Sequence, residues 1–464
     1  MIPTNVKDIM KKLLDAGFEA FLVGGSVRDI ILGVVPHDYD VFTNAPAEKI
    51  LEIFPKGRVI GSEERQKKIL TVIVGDVEVS RYRGNGDRTE YGESLEEHTK
   101  TCDFTINSIA MTINGNLVDY QGGMLDIKNN IIRAVGNPHT RFQEDLLRVL
   151  RLVRFQLKYN MTIETSTMMA THEYVEKFIE LPAERLRDEL LKILGYGHAV
   201  QRLIDYNILQ VMIPEIRDLC IEGGDMHAET VIQHSVNAFE YASKVTDNIL
   251  LRFACFLHDI GKGQTLEQGY KQIQPHLCEF PDQCELCVKD GVHFYEHDRV
   301  GEEIADAIMK RLKFSTDDMR YVKTLIRSHM FSFKQDNGNI SKKTYAKFFA
   351  KIESANIPIE DYVILLYSDH QGNQAKPRIK FGDFIKGNWL HKKYYEMKHE
   401  REPFTVKDLD INGRDLMELG LNPGLVIGET LERLFDEVMD GNIKNFRPEL
   451  MNAAKNLIKE VKQK

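Results

Sequence analysis

Residues 21–41, FLVGGSVRDIILGVVPHDYDV, constrain the surrounding fold more tightly than any other stretch of this chain, because they read as strand, glycine turn, short helix, turn and second strand. Gly24 and Gly25 end an apolar run and open a helix through Ser26, Val27 and Arg28, so backbone N–H groups at the helix start can face an anion. Arg28 adds a fork of donors. Asp38 and Asp40 follow at a spacing of two in a run ending in Val41 and Phe42, and alternate residues of a strand point the same way. Two carboxylates side by side in a poorly solvated site repel, so one is expected to keep a proton unless a cation sits between them. Mg2+, a hard divalent cation, fits that need. The stretch is therefore expected to hold a triphosphate and a metal.

Around it, residues up to about 135 mix predicted helices (6–16, 46–54) with predicted strands (69–74, 77–82), an α/β or α+β pattern. Glu78 lies in the last of these strands with Val77 and Val79 on the opposite face, and is a candidate third carboxylate; the other reading is a solvated strand face. Residues 84–99 are rich in Gly and charge without apolar periodicity, and read as a mobile loop. Asp103 and Asn107 are polar residues in a buried-looking stretch, explained by ligand contact or by caps and turns.

From Pro138 the pattern turns helical, with Leu146, Leu147, Val149, Leu150, Leu152, Val153 and Phe155 around a row of arginines. At about 100° per residue, steps of three from Asp145 to Arg148, Arg151 and Arg154 each drift by about −60°, placing Arg154 opposite Asp145. Asp145, Arg148 and Arg151 alone would then serve one ligand. An Asp beside an Arg presents an acceptor next to donors. Cytosine and adenine both offer an amino donor beside a ring-nitrogen acceptor, whereas guanine and uracil offer a carbonyl beside an N–H, so the pair admits C and A and repels G and U. The alternative is an exposed helix face laced with (i, i+3) ion pairs.

The length of 464 residues allows about three domains. With 42% hydrophobic and 28% charged residues, and no apolar run near the roughly 20 residues that span a bilayer, a soluble protein is expected. The N-terminal amphipathic stretch lacks an apolar h-region, so a cytoplasmic location without membrane contact is expected. A net charge of −9 rules out a generally basic nucleic-acid coat, and an RNA partner would be held by local basic patches. Of six cysteines, Cys102, Cys220 and Cys255 are scattered while Cys278, Cys284 and Cys287 cluster, which points to metal rather than a disulfide framework.

In order along the chain, GGSVRD, DYD, EVSRYR, DFTINSIA, DYQGG, EDLLRVLRLVRF and ERLRDELLKIL resemble the tRNA nucleotidyltransferase family, the CCA-adding enzymes of the class that includes bacterial poly(A) polymerases. The resemblance covers residues 1 to about 215. It implies an α+β head (1–135) of the polymerase-β-like nucleotidyltransferase fold, followed by an all-α neck (136–215), body and tail in a seahorse arrangement. By the same resemblance Asp38 and Asp40 bind two Mg2+ ions. Gly24, Gly25, Arg28 and Asp103 belong to the nucleotide site, Asp145 with Arg148 templates the incoming base, Arg151 adds a phosphate or base contact, and the motif holding Glu184, Arg185 and Glu189 stiffens the neck. The family usually has two arginines before Asp103, where this chain has Thr101 and Cys102, with Lys100 the nearest cation.

The implied activity is template-independent addition of CCA to the 3′ end of tRNA from CTP and ATP, with release of pyrophosphate. Alternatives are addition of A alone or of CC, a poly(A) polymerase, or a phosphohydrolase working at a second site. The oligomeric state is left open.

That second site is a helical domain, 216–384, with His234, His258 and Asp259 in HDIGKG, His297, His329 and a late Asp369, the spacing of HD-superfamily phosphohydrolases. In that family His234, His258, Asp259 and Asp369 would ligate a divalent metal, a transition metal among the candidates, with His297 and His329 completing a second site or gripping phosphate. The domain is an active hydrolase or a retained scaffold. Within it Cys278, Cys284 and Cys287, with His276 or His293, offer a tetrahedral Zn2+ site or a surface insertion with free thiols. The tail, 385–464, reads as helices whose Lys and Arg touch the tRNA acceptor arm, or as a solvated bundle.

Overall fold

The computed structural model describes residues 2–60, 71–84, 91–221, 229–272, 287–331 and 340–463, the backbone alone for 268–272, 287–290 and 460–463. Cys278 and Cys284 lie outside the described residues, and Cys287 is placed by its backbone only, so the expected zinc cluster is not among the features described below. No helix of the described residues is long and apolar enough to cross a membrane. The chain forms two compact units, Met1–Met212 and Ile213–Lys464.

In the first unit, α1 (Thr4–Asp15) buries Val6, Ile9, Met10 and Leu13, the 3–4 spacing of an amphipathic helix. Next come β1 (Phe21–Val23), α2 (Gly25–Ile31), β2 (Asp40–Thr43), α3 (Ala47–Ile53), β3 (Arg58–Ile60), β4 (Thr71–Val74) and β5 (Val77–Arg81). After α4 (Leu95–Lys100), β6 (Ala110–Met111) and β7 (Leu117–Val118) complete a seven-stranded sheet in the order β3-β4-β5-β2-β1-β6-β7. Among the described strands of this sheet, only β2 and β5 pair in parallel, with Asp40 opposite Glu78 and Val41 opposite Val79. Leu22, Val41, Val72 and Val79 are fully buried against α1 and α3. Each such aliphatic side chain contributes roughly 1.5–3 kcal/mol. The expected loop over 84–99 is corrected in part: Ser94 caps α4 by accepting from the Glu97 N–H at 3.3 Å, and Leu95 is buried, so its last turn is helical.

The unit continues with α5 (Gly123–Lys128), β8 (Ile131–Ile132), α6 (Pro138–Glu144), α7 (Leu147–Tyr159), β9 (Thr162–Ile163), α8 (Thr165–Tyr174), α9 (Ala183–Leu194), α10 (Ala199–Asp205) and α11 (Ile208–Met212). The continuous helix predicted from Pro138 is broken. Asp145 is extended (φ −157°, ψ 102°), its carboxylate accepts from the Leu147 N–H at 3.2 Å, and α7 starts afresh. A side chain that caps the next turn competes with the helix it interrupts.

The second unit is helical: α12 (Val231–Ser243) and α13 (Ile249–Leu257) lead into the hairpin β10 (Leu266–Gln272) and β11 (Cys287–Phe294). The helices α14 (His297–Arg311), α15 (Thr316–Ser328), α16 (Lys342–Ser354) and α17 (Ile359–Gly372) follow, and α12 packs along α17 and α13. Two-stranded pairings, β8 with β9 and β10 with β11, are thus added to the helical remainder. The last helices are α18 (Phe381–Gly387), α19 (Trp389–His399), α20 (Gly413–Glu418), α21 (Leu425–Met439) and α22 (Arg447–Gln463). Several of the lysines around them are ion-paired, Lys393 with Glu396 and Lys398 with Glu353.

Candidate active site

A cleft of about 650 Å³ in the first unit gathers most of the residues singled out in its sequence. Gly24, Gly25, Arg28, Asp38, Asp40, Asp103, Asp145, Arg148 and Arg151 all line it. Gly24 sits at φ +89°, open to glycine at no cost, which lets the chain turn from β1 directly into α2. Asp40 is the first residue of β2, opposite Glu78. Burial, then Glu78 and Asp38, push its carboxyl up to about 6, against the opposing pull of Arg83. That direction agrees with the expected repulsion between neighbouring carboxylates, and a carboxyl at about 6 is mostly ionised at neutral pH. Asp38 precedes the strand instead of alternating within it; its side chain is 79% exposed and meets His37 Nδ1 at 2.9 Å, so strand alternation does not explain its place at the cleft. Asp38 and Glu78 both lie within electrostatic reach of Asp40, but Glu78 is exposed and does not line the cleft, and the three carboxylates are not gathered into one cluster of ligand atoms.

Arg28 is buried and largely engaged. Its guanidinium donates to Asp29 Oδ1 (2.9 and 2.7 Å) and to Asn107 Oδ1, and lies over the rings of Phe155 and Tyr159 at 4.9 and 4.6 Å. Tyr159 also donates to Asp29 at 2.7 Å, so α2 is tied to the end of α7. Asp103 accepts from Asn107 Nδ2 (2.7 Å), the Phe104 N–H (2.8 Å) and Arg151 Nε (2.8 Å). Burial opposes ionisation there, but Arg151 and these hydrogen bonds hold the Asp103 carboxyl down to about 2.

Asp145 is held by Arg185 Nη2 at 3.1 and 3.0 Å, a bond from α9 that the sequence pattern did not single out. Arg148 is 3% exposed and donates to Glu144 Oε2 (2.6 Å) and to the carbonyls of Arg141 and Thr101 (3.0 and 3.1 Å), which excludes the exposed, ion-paired helix face. The helical-wheel placement of Arg154 is also corrected. Because Asp145 lies outside α7, the drift counted from it does not apply, and Arg154 and Lys158 line the same cleft. Arg154 donates to Glu189 of α9, which is 3% exposed.

Beside the two positions without family arginines, Thr101 and Cys102, the backbone carbonyls of Thr101 and Lys100 accept from Arg148 and Arg141. The Cys102 thiol is pushed up to about 12 by burial and by Asp103, with Arg83, Arg148 and Arg141 pulling the other way. Cys102 is thus no nucleophile, and guanidinium charge reaches its surroundings from three other positions. Arg83 lines the cleft beside it.

In the second unit six buried side chains converge as two donor groups, His234 with His258 and Asp369, and Asp259 with His297 and His329. The two oxygens of Asp259 divide between them: Oδ2 lies 3.6 and 3.4 Å from His234 and His258, and Oδ1 lies 3.4 and 3.6 Å from His297 and His329. His258, His297 and His329 each direct Nδ1 at a backbone carbonyl (2.8, 2.8 and 2.7 Å), so Nδ1 carries the proton and Nε2 presents a lone pair. Burial holds His297 down to about 4, against Asp259, leaving it neutral. Its Nε2 nevertheless faces His329 Nε2 at 3.1 Å. Two lone pairs at that distance repel unless a cation accepts both. His234 behaves differently: burial opposes protonation, but Asp369 and Glu229 raise it to about 9, and its Nε2 lies 3.1 Å from Asp369 Oδ1 and 3.2 Å from His258 Nε2. The donors fit divalent metal. Gly261 is what lets the HDIGKG turn approach α14, since a Cβ there would lie 2.1 Å from the His297 carbonyl. His293 is exposed beside Tyr295, outside both groups.

Residues 20–133 match the Poly A polymerase head domain, 160–220 the Probable RNA and SrmB-binding site of polymerase A, and 231–366 the HD domain. A CCA-adding enzyme of Ligilactobacillus salivarius is 30% identical over 99% of this chain and 100% of its own. Poly(A) polymerase I of Escherichia coli O157:H7 is 37% identical, over 50% of this chain and 54% of that protein, so the chain spans about half the length of such relatives. Among solved structures, the Bacillus stearothermophilus CCA-adding enzyme in complex with CTP superposes with a TM-score of 0.65 at 19% identity, covering 100% of both chains. The Thermotoga maritima CCA-adding enzyme complexed with tRNA-CCA gives 0.60 at 16%, covering 98% of this chain and 96% of that one. These two likenesses establish a shared fold. Similarity to a CCA-adding enzyme along the whole length, with a head cleft of paired carboxylates and arginines, identifies the chain as a nucleotidyltransferase of the CCA-adding enzyme and poly(A) polymerase family.

Proposed function

We propose that the first unit adds C, C and A to the 3′ end of tRNA from CTP and ATP without a template. The observation that carries this reading is the single cleft that holds Asp38 and Asp40 together with Asp145 and Arg148. Asp38, Asp40 and Glu78 would hold Mg2+, which when bound lowers the pKa of the terminal 3′ hydroxyl and neutralises the leaving pyrophosphate. The hydroxyl oxygen bonds to the α-phosphorus as the bond to pyrophosphate breaks. Gly24 and Gly25 let the backbone approach the phosphates, and Arg28, fixed by Asp29 and Asn107, keeps that turn in shape. Arg83 and Arg148 supply the positive charge that the family arginines would give at positions 101 and 102. Asp145, steadied by Arg185, accepts from the amino group of cytosine or adenine. The free thiols of Cys102, Cys220 and Cys255 suit a reducing compartment, and the reading places the chain in the cytoplasm.

The test offers labelled CTP, ATP, GTP and UTP, singly and together, to a tRNA ending at the discriminator base. A ladder that stops after C, C and A is expected. An unlimited A ladder would make the chain a poly(A) polymerase instead, and Asp40→Ala that still incorporates nucleotide would remove Asp40 from the catalytic role.

The paired donor groups in the second unit favour a second activity, hydrolysis of a phosphoester. His234, His258 and Asp369 would hold one divalent ion and His297 with His329 another, with Asp259 shared; bound metal supplies a water of lowered pKa. Lys262, donating to Asp259 Oδ2 at 2.6 Å, keeps that carboxylate ionised and oriented.

A further inference from the structure

A second cleft, of about 350 Å³, opens in the second unit between the start of α14, the end of α15 and one face of α16. Its wall is continuous in sequence with the second donor group, because Asp298 follows His297 and Ser328 precedes His329. On α16 Thr344, Lys347, Phe348 and Lys351 recur at three- and four-residue steps, so one helix face presents a hydroxyl, two ammonium groups and a ring. Neither lysine forms an ion pair among the described residues, whereas Arg327, across the cleft, is bonded to the buried Asp298. Phe331 stacks on Phe348 with ring centroids 3.9 Å apart, giving an apolar floor. The Ser328 hydroxyl is buried and lacks a hydrogen-bond partner among the described residues, although the residue lines the cleft.

A solvated amphipathic face would explain the lysines alone. It would leave the orphaned Ser328 hydroxyl and the stacked rings unexplained, since buried polar groups are normally satisfied. The combination of unpaired cations, an orphaned hydroxyl and an aromatic floor is that of a site for a small anionic ligand with a flat ring. A volume of about 350 Å³ suits one nucleotide and is at the lower end for small-molecule sites.

We propose that this cleft binds the nucleoside and flanking phosphate of a ribonucleotide whose phosphoester is presented to the Asp259, His297 and His329 group. This rests on the reading of that group as hydrolytic. In the reaction so positioned, the oxygen of water bonds to phosphorus, the P–O ester bond breaks, and the departing ribose oxygen takes a proton.

The experiment uses the full-length, Mn2+-loaded chain with adenosine 5′-phosphate 2′,3′-cyclic phosphate, whose 5′-phosphate flanks the scissile ring, and with 2′,3′-cyclic AMP, which lacks that phosphate. Lys347→Ala/Lys351→Ala is expected to raise KM for the 5′-phosphorylated substrate about tenfold or more with kcat within about twofold, and to leave KM for 2′,3′-cyclic AMP within about twofold. Equal effects on both substrates, or none, would overturn the proposal. Should the unaltered chain hydrolyse neither substrate, the hydrolytic reading fails, and equilibrium dialysis with 3′-AMP decides the cleft by itself. One equivalent less bound by the double variant supports the site, and unchanged stoichiometry and affinity refute it. Both lysines are exposed, so the fold is expected to survive, and a second variant, Phe331→Leu, is expected to weaken 3′-AMP more than inorganic phosphate.

Discussion

At the scale of single residues, the head site is defined by one carboxyl that does not ionise easily. Burial and its neighbours raise Asp40 from 3.8 to about 6, so the metal-free folded chain binds that proton more tightly than the unfolded chain does. Asp40 therefore contributes stability that is complete below about pH 4 and is lost as pH rises through 6. Asp40→Asn removes the loss. Without divalent ions the variant is expected to be about 2 kcal/mol more stable than its parent at pH 7.5, taking roughly two pKa units at 1.36 kcal/mol each and discounting for partial exposure. The difference should vanish at pH 4. Urea midpoints at the two pH values measure it, and a pH-independent difference would contradict the assignment. The same repulsion that costs stability is what a bound cation would relieve.

At the scale of elements, α7 and α9 are joined through Arg154 and Glu189, the latter buried to 3% exposure, with Lys192 more distant at 3.7 Å. Arg154→Met leaves that carboxylate with its weaker partner alone, and a loss of about 3–5 kcal/mol is expected, since breaking a buried pair strands a charge. Arg154→Met/Glu189→Leu should recover most of it. Denaturant midpoints of the three variants test this, and a double variant worse than the single would show that the pair itself is stabilising. The functional link is that α9 also carries Arg185, which holds Asp145. An element that clamps α7 thus also holds Asp145, the carboxylate proposed to read the base.

For the whole molecule, the two compact units should lose structure separately. The protein purified without chelator is expected to carry one metal equivalent for each donor group of the second unit, and His297→Ala/His329→Ala to lose one of them, as read by elemental analysis. His258→Ala should lower one calorimetric transition and leave the other in place. A single transition displaced as a whole would instead show that the units unfold together.

The spacing of residues by itself determined much of this protein. Glycines before an apolar helix, carboxylates two apart, and an adjacent His-Asp pair followed by a distant Asp are local chemical requirements, and local requirements are written in neighbouring residues. The alternation of Val77, Glu78 and Val79 gave the face that Glu78 takes, whereas its place opposite Asp40 came from the parallel pairing of β5 with β2. Tertiary structure decided what depends on partners far along the chain. Helix arithmetic could not see Asp145 leaving the helical repeat to accept from the Leu147 N–H and from Arg185, so it placed Arg154 on the wrong side. Nor could it see Asp259 giving one oxygen to each of two histidine groups brought together by α12, α13, α14 and α15. Periodicity records which way a residue faces within its own element; which charge it then meets depends on where the other elements come to rest.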